Sequence, residues 1–485
     1  MAKPFSRIRS AAVDGRLHNP YYRKVQLKRL HDKLVDSSAE IRTAISEDTG
    51  HQPAEALAEY WLALQCLADC YRSIDPERDL ADEYRVARGQ SWASAREPVG
   101  IVLIEPATHT FLFSLISALA PAIEGGNCVI VRREQTLLKT PQIVLGILEQ
   151  SLDQDIIEVT SARSVADGDI NHRHVRVLQN GSSQPHLANH LVSSPDARVV
   201  AVVERDANLR AAAELLVGAR FGLRGQSPYA PDLVLVNEWV VADFLAAVAE
   251  FSERVVASSS NDPAPVSGSG TTDRFGERMK AQGHARVVFT KSQCLVLEVT
   301  DRASVRALPK LRERCLVVHA VTSMEDAIDV SNAQGRLAAA FVFTANPRAA
   351  KYMCQFLDAA TSFVNQLPTS LLFHPIAPER VVVDVSRPSL YNRSLFTLPK
   401  PQYTESSARS QTLHGALTGR SPSQVARLEA EAVARLPDVK RLKDKPDIGF
   451  FDQGIITGGV LVLSALVSCG GLLAYYTRTR LQVLY

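Results

Sequence analysis

Potential nucleophiles occur throughout this chain, and their spacing limits the chemistry they can carry. Ser227 and Tyr229 flank Pro228 in the stretch Gly225-Gln-Ser-Pro-Tyr-Ala-Pro231. The chain has no Gly-x-Ser-x-Gly elbow and no Ser/His/Asp spacing, so the pattern does not support a hydrolase of that kind. The 7 cysteines are scattered and include no Cys-x-x-Cys pair, so we expect neither a disulfide framework nor a metal site.

Four cysteines and one histidine are candidates for a chemical role. Cys66 and Cys70 lie four residues apart in an apolar helical pattern and therefore share one helix face. We interpret them as buried core thiols, the alternative being a redox or metal pair. Cys294 and Cys315 are candidates for a thiol near a cleft. His109 is the strongest candidate acid or base, although we interpret it as a loop side chain without a catalytic role.

The composition is that of an ordinary globular protein. A length of 485 residues predicts two or three domains, and the hydrophobic and charged fractions are 46% and 22%. Lys and Arg number 54 against 52 Asp and Glu, which leaves a formal net charge of +2. Because this balance creates no strongly basic field, we expect no binding to nucleic acid.

The C-terminal part contains a long apolar segment. No residue from Gln453 to Thr477 is charged, and the run from Ile455 to Tyr476 would extend roughly 33 Å as a helix. That length is enough to cross a lipid bilayer, so we predict a membrane-spanning helix, with a buried soluble helix as the alternative. Gly454 and Gly458 form a Gly-x-x-x-Gly pair that would let two such helices approach closely.

The flanking sequence predicts how this helix is oriented. The basic segment Met1–Arg9 is not followed by an apolar run, so we expect no secretory signal and a tail-first insertion. More basic residues precede the apolar run than follow it, which predicts that the main body faces the cytosol. The preceding residues are Lys440, Arg441, Lys443 and Lys445, and the following residues are Arg478 and Arg480. Endoplasmic reticulum is the expected membrane, with outer mitochondrial, peroxisomal and lipid-droplet surfaces as alternatives.

The rest of the chain has the pattern of an α/β protein. Amphipathic helices are predicted at Tyr21–Glu47 and Glu55–Tyr71. Short β-branched runs that alternate with helical stretches then predict βαβ units and parallel sheets. The predicted strands are Val99–Ile104, Cys128–Val131, Val175–Leu178, Val199–Val203, Leu233–Val236, Arg286–Phe289, Leu295–Val299, Leu316–Val318 and Ala339–Phe343. Further predicted helices are Phe111–Ile123, Thr140–Leu152, Val240–Val255 and Ser421–Leu436, with a flexible loop at Ser258–Thr272.

Several motifs, in this order along the chain, resemble those of the aldehyde dehydrogenase superfamily. They are Arg96-Glu-Pro-Val-Gly-Ile-Val-Leu-Ile104, Ala122-Ile-Glu-Gly-Gly-Asn-Cys-Val-Ile-Val131, Gly225-Gln226 with Ala230-Pro231, and Ser323-Met-Glu-Asp-Ala-Ile328. The resemblance covers roughly Arg16 to His374 and is strongest to the short, dimeric fatty-aldehyde type, which also ends in a membrane anchor. It implies two Rossmann-like parallel-sheet domains, to which the apolar segment adds a C-terminal transmembrane helix.

This resemblance also implies a domain division. Residues 1–205 would form a dinucleotide-binding-like domain with the N-terminal helices, and residues 206–385 a catalytic-like domain. A polar linker at 386–449, a transmembrane helix at 450–476 and a short tail at 477–485 would follow.

At the catalytic positions of the family the sequence departs from the expected residue types. Aldehyde oxidation in this family needs a thiolate nucleophile, a carboxylate base and an amide that stabilises the oxyanion. The resemblance puts Pro228 in place of the cysteine, Ser194 or Pro195 in place of the glutamate, and Thr108 in place of the asparagine. Asp196 or Glu204 could substitute for the base. We therefore predict that no classical catalytic residue is present.

The cofactor positions are less altered. The resemblance places Arg132 where the family has a lysine that meets the adenosine ribose. Asn180-Gly-Ser-Ser183 resembles the turn that approaches the pyrophosphate, so Gly181 and Ser182 are candidate binding residues for NAD or NADP. Against binding, Gln184 and His186 replace glycines, and Lys310 stands where the family has a carboxylate for the nicotinamide ribose.

Three functions from different classes agree with these residues. The first is a catalytically silent, membrane-anchored relative that acts by binding, or by forming a homodimer or a heterodimer with an active relative. The second is a divergent NAD(P)-dependent oxidoreductase that acts on apolar aldehydes in a biosynthetic pathway. The third is a structural membrane-surface protein without a ligand.

Overall fold

The computed structural model describes most of the chain as two compact units, Met1–Glu405 and Ser406–Tyr485. The described residues are 4–162, 165–182, 187–258, 275, 278–279, 283, 285–419, 422–437 and 450–482. The predicted loop at Ser258–Thr272 lies outside the described residues, apart from Ser258 itself.

The first unit begins with helices that pack into the same core as the first sheet. The predicted helix Tyr21–Glu47 is wrong as a single element, because the chain leaves helical geometry at Ser37, with φ −95° and ψ 13°. Cys66 and Cys70 are both buried, as predicted. The helices here are α1 (Ser6–Asp14), α2 (Pro20–Asp36), α3 (Ser38–Thr49), α4 (Pro53–Ser73) and α5 (Pro76–Glu83).

A five-stranded parallel sheet follows in sequence. Its spatial order is β4-β3-β2-β5-β6. The two helices that connect β2 to β3 and β3 to β4 in the chain are almost fully apolar on their buried faces. The elements are β2 (Ile101–Glu105), α6 (Phe111–Glu124), β3 (Cys128–Arg132), α7 (Lys139–Ser151), β4 (Ile157–Thr160), α8 (Asp167–Ile170), β5 (His174–Leu178) and β6 (His190–Val192). Strands alternating with helices in this order confirm the α/β fold predicted from the sequence.

The second sheet has seven strands in the order β13-β12-β7-β8-β11-β10-β9, parallel except for the antiparallel pair β9 and β10. Its strands are β7 (Val199–Val203), β8 (Leu233–Asn237), β9 (Ala285–Lys291), β10 (Cys294–Val299), β11 (Cys315–Val321), β12 (Ala339–Phe343) and β13 (Ser362–Val364). Its helices are α9 (Leu209–Phe221), α10 (Val241–Ser258), α11 (Arg302–Arg306), α12 (Met324–Asn332) and α13 (Pro347–Phe356).

This topology moves the predicted boundary between the two sheet domains. The sequence prediction assigned residues 1–205 to the first domain, but β7 pairs with β8 and β12 and so belongs to the second sheet. The reason is that a strand of Val and Ala buried on both faces carries no local sign of its partners. The second sheet therefore begins at Val199, ahead of the predicted boundary at residue 205.

The predicted linker also begins too early. Strand β14 (Thr397–Pro399) pairs with β1 (Arg96–Pro98), and Tyr391 and Phe396 are buried in the first unit. A few apolar residues in a polar stretch are enough to dock it, which the composition concealed. Residues up to Glu405 therefore belong to the first unit.

The described residues of the second unit form three helices. They are α14 (Ala408–Leu417), α15 (Pro422–Val433) and α16 (Phe450–Gln482). Within α16 the 22 residues Asp452–Leu473 have a mean hydropathy of 2.1, and among the described residues this is the one helix long and apolar enough to cross a membrane. It includes most of the predicted span Ile455–Tyr476.

Candidate functional site

The loop that carries Pro228 begins with a run of left-handed backbone. Leu223, Arg224 and Gly225 have φ values of 48°, 52° and 73° directly after α9. A Cβ at Gly225 would lie 2.3 Å from the carbonyl carbon of Glu313, so only glycine fits there. The Leu223 amide donates a hydrogen bond to Glu55 Oε1 at 2.7 Å, which holds this strained segment against α4.

Pro228 itself is tied into a buried ionic cluster. Lys310 Nζ donates to the Pro228 carbonyl oxygen at 2.6 Å and to Asp232 Oδ2 at 2.8 Å. Asp232 also accepts from the amides of Val199 and Leu311, at 2.9 Å and 3.0 Å. Burial lowers the pKa of Lys310, while the charge of Asp232 opposes that shift. Lys310 therefore holds the Pro228 loop in place and forms a buried ion pair with Asp232.

A shared acceptor joins this loop to the turn that precedes α6. Ser227 Oγ donates to the carbonyl oxygen of Leu372 at 2.7 Å, and His109 Nε2 lies 3.0 Å from the same oxygen. Burial lowers the pKa of His109 to about 4, so the imidazole is neutral at pH 7 and Nε2 carries the proton that is donated. Tyr229 is buried, and its hydroxyl accepts from the Ala377 amide at 2.8 Å. These flanking groups are engaged in structural contacts.

The other two predicted catalytic positions lie beside this turn. Thr108 is exposed, and Asn180 Nδ2 donates to the neighbouring Pro106 carbonyl at 2.9 Å. Gly181, with φ 86°, packs so closely that a Cβ there would lie 3.1 Å from Cδ of Pro195. The exposed Ser194 immediately precedes Pro195. The structure thus brings the segments of Thr108, Gly181 and Ser194 together, while their roles stay predictions.

The alternative bases differ in their surroundings. The Asp196 side chain is 84% exposed and forms an ion pair with Arg312 at 3.1 Å. Glu204 is buried, and burial raises its pKa. Neither lies in a turn that resembles the family's base segment.

The thiols proposed as substitutes are packed in the protein interior. Cys294 and Cys315 are both about 98–99% buried, within the two hydrophobic cores. Burial raises the pKa of Cys315, and it raises the pKa of Cys128 to about 12. A protonated, buried thiol is a poor nucleophile. Among the described residues, no group of three or more His, Cys, Asp or Glu side chains could hold a metal ion.

A cleft of about 60 Å³ opens at the carboxyl ends of β2 and β3. Asn180, just after the end of β5, also lines it. Arg132 Nη2 lies 2.7 Å from Glu105 Oε2 and 3.7 Å from Glu134 Oε1. This is the edge of a doubly wound sheet where nucleotides bind, and carboxylates there accept from ribose hydroxyl groups. The charged end of the cleft therefore fits the nucleoside part of a dinucleotide. Gln184 and His186, which the sequence analysis counted against binding, lie outside the described residues.

One residue of the cleft was missed by the sequence reasoning. Glu59 lies on α4 and is 1% exposed. Its Oε1 accepts from the amides of Leu112 and Phe113, at 3.1 Å and 3.5 Å, in the first turn of α6. One sequence signal could have found it. Glu59 lies one helical turn after Glu55, and the face of α4 on which it lies is otherwise apolar.

Comparison with known proteins explains this arrangement. The sequence model of the aldehyde dehydrogenase family matches residues 9–285. The chain belongs to the aldehyde dehydrogenase family. That segment contains the first sheet, the cleft and the Pro228 loop.

Curated relatives are distant members of the same family. The chain is 24% identical to the 4,4'-diaponeurosporen-aldehyde dehydrogenase of Staphylococcus aureus over 47% of this chain and 53% of that protein. It is 21% identical to aldehyde dehydrogenase family 3 member H1 of Arabidopsis thaliana over 76% of this chain and 82% of that protein. For the first of these relatives, as for the mouse family 3 member B1, the chain spans about half of the relative's length.

Solved structures of the family share the fold. Staphylococcus aureus AldH in its substrate-bound state matches with a TM-score of 0.65 at 16% identity, over 83% of this chain and 94% of that chain. Pseudomonas syringae AldC, in complex with NAD+ and octanal, matches with a TM-score of 0.64 at 16% identity, over 83% and 88%. The chain therefore has the aldehyde dehydrogenase fold.

Proposed function

We propose that this protein is a membrane-anchored aldehyde dehydrogenase homologue that does not oxidise aldehydes by the thiol mechanism and acts by binding. The observation that carries the proposal is Pro228, which the family resemblance places at the position of the nucleophile. Its carbonyl is held by Lys310 Nζ at 2.6 Å. A proline ring has no thiol and cannot form the covalent intermediate that this chemistry requires.

Two further replacements support the same proposal. Ser194 cannot act as a carboxylate base, and the Thr108 hydroxyl is shorter than the amide that would stabilise the oxyanion. Because nucleophile, base and oxyanion donor act as a unit, their joint replacement removes the pathway and not just part of its rate.

A nicotinamide dinucleotide is the cofactor that the cleft supports. Arg132 with Glu105 and Glu134 would hold the adenosine ribose, and Gly181 and Ser182 would approach the pyrophosphate. When bound, the dinucleotide supplies a hydride acceptor or donor. The test is the thermal unfolding of the full chain in detergent with and without NAD+ or NADP+, since a ligand that binds the native state raises the Tm.

The helix α16 supports attachment to a membrane, with the endoplasmic reticulum as the proposed site. Four basic residues before the apolar run and two after it favour a cytosolic main body. Expression with microsomes tests this directly. Carbonate-resistant association and protease digestion of the main body from outside are expected, whereas a carbonate-soluble protein would contradict the anchor.

Dimerisation with a second copy or with an active relative is the proposed partnership. It follows from the family resemblance to dimeric fatty-aldehyde enzymes. Chemical cross-linking of the detergent-solubilised protein, at several concentrations, should capture a dimer. A monomer at every concentration would remove this part of the proposal.

A second function is a divergent NAD(P)-dependent oxidoreductase for apolar aldehydes in a biosynthetic pathway. The cleft at the carboxyl ends of β2 and β3 favours it, because its charged end is retained. Incubation with octanal and NAD+ or NADP+ separates this second function from the first. We expect no aldehyde-dependent formation of NADH or NADPH, whereas the second function requires it. Ligand-induced stabilisation would exclude the third function, a structural protein without a ligand.

A further inference from the structure

Glu59 presents one unsatisfied carboxyl oxygen inside the cleft. Its Oε1 is occupied by the amides of the first turn of α6, but Oε2 is buried and has no hydrogen-bond partner. Glu59 lines the same cleft as Thr108 and Phe111. A buried polar atom without a partner costs free energy, so its position is accounted for if a ligand completes the hydrogen bond.

The protonation of Glu59 determines what kind of partner it needs. Burial raises the pKa of this carboxyl to about 8, although the two backbone amides of α6 oppose the shift. At pH 7 the group is therefore a neutral acid. With Oε1 accepting from the amides, Oε2 carries the proton and is a donor that lacks an acceptor.

The walls around Glu59 set the remaining chemistry of the ligand. The cleft combines the apolar side chains of Ile45, Phe111, Pro141 and Leu145 with a charged end at Arg132. Its interior of about 60 Å³ has room for a few water-sized groups, since one water requires roughly 10–15 Å³. A small carbonyl group with attached apolar carbons fits this environment.

We propose that Glu59 is a hydrogen-bond donor that recognises the carbonyl oxygen of an uncharged, apolar aldehyde or ketone in this cleft. The inference rests on the proposed binding function. Glu59 is the group that would make this binding selective for a carbonyl compound. Glu59 takes over recognition of the carbonyl oxygen from the missing family asparagine, whose place is occupied by Thr108. No covalent step is involved.

Other titratable groups on the surrounding elements do not account for the state of Glu59. Burial raises its pKa and the two α6 amides oppose that shift, without a contribution from a charged side chain. The charged groups that share the cleft are Asp48, Glu105, Arg132, Arg133 and Glu134. His51 and His109, in the segments before α4 and α6, are neutral at pH 7 because burial lowers the pKa of each to about 4.

The test uses acetophenone and ethylbenzene, which have the same carbon skeleton but carry a carbonyl group and a methylene group, respectively, next to the ring. Binding of each to the full chain in detergent is measured at pH 6.5 and pH 9. For the wild type we expect about a five- to tenfold preference for acetophenone at pH 6.5, the size of one hydrogen bond. This preference should disappear at pH 9, where Glu59 is ionised. The infrared carbonyl stretch of ¹³C-labelled acetophenone should move to lower wavenumber only at the lower pH.

Two variants separate recognition from folding. Glu59→Gln keeps an acceptor for α6 and a donor that does not titrate, so the preference should persist at both pH values. Glu59→Met has no donor and should show no preference at either pH.

The outcomes distinguish this inference from the binding function itself. Equal binding of the two probes by the wild type at pH 6.5 would overturn the role of Glu59 and leave apolar-ligand binding intact. A preference retained by Glu59→Met would also overturn it, and so would a wild-type preference that is unchanged at pH 9. No binding of either probe would overturn the inference, whereas the proposed dinucleotide binding is tested separately by the Tm with NAD+ or NADP+.

Discussion

Lys310 Nζ donates a hydrogen bond of 2.6 Å to the carbonyl oxygen of Pro228. The family resemblance places a cofactor-binding carboxylate at the first position and the catalytic cysteine at the second. By that resemblance both positions would differ in residue type from the family, and the residues present bind each other. The contact makes both residues part of the protein's internal framework.

Restoring the thiol alone should not restore oxidation. In Pro228→Cys we expect NADH production from octanal and NAD+ to stay at the level of the unaltered protein, because Ser194 and Thr108 still lack the base and the amide. Absorbance at 340 nm measures the product. Robust NADH formation by the unaltered protein would show that another group performs the chemistry.

Loss of the Lys310 ammonium should destabilise the fold. Lys310→Met leaves Asp232 buried without its closest cation, since Arg220 Nη1 lies 3.9 Å from Asp232 Oδ1. The expected loss is about 3 kcal/mol in the free energy of unfolding. Urea unfolding of the full chain in detergent measures it, with the exposed Lys291→Met as the control that should change little.

Acid should unfold the protein partly through its buried histidines. Burial lowers the pKa of His374 to about 3, whereas an unfolded histidine titrates near 6.5. The unfolded state therefore binds more protons below pH 6.5, and stability falls as the pH decreases toward 3. His374→Leu should reduce the slope between pH 6 and pH 4 by about 1.4 kcal/mol per pH unit. The exposed His414→Gln should leave the slope unchanged.

Removal of the cleft guanidinium should weaken nucleotide binding. In Arg132→Met, Glu105 loses its partner at 2.7 Å and leaves an uncompensated negative charge beside the proposed ribose position of an anionic nucleotide. We expect about a tenfold loss of NAD+ affinity, measured from the concentration dependence of the Tm. The exposed Arg88→Met is the matched control. An unchanged affinity would separate Arg132 from the nucleotide site.

A charge in the middle of α16 should prevent stable anchoring. Leu463 lies near the centre of the apolar span Asp452–Leu473. Leu463→Arg should cost about 3 kcal/mol of insertion free energy and shift the protein to the carbonate-soluble fraction. Leu417→Arg changes an exposed leucine outside the span and should leave membrane association intact.

The helices and strands could largely be predicted, because their signals are local. The runs at Val199–Val203 and Ala339–Phe343 have the bounds that the sequence predicted. Local patterns failed at Ser37, where the continuous hydrophobic spacing hid a break between α2 and α3. They also failed at Tyr391 and Phe396, whose burial depends on a distant surface.

The sequence by itself determined the family and the parallel α/β architecture, since motif order and residue type need no coordinates. Only the tertiary structure assigned β7 to the second sheet and paired Lys310 with Pro228 and Asp232. It also placed the free oxygen of Glu59 beside the first turn of α6. These relations join residues far apart in the chain, and burial and hydrogen bonding between distant segments leave no periodic trace in the sequence.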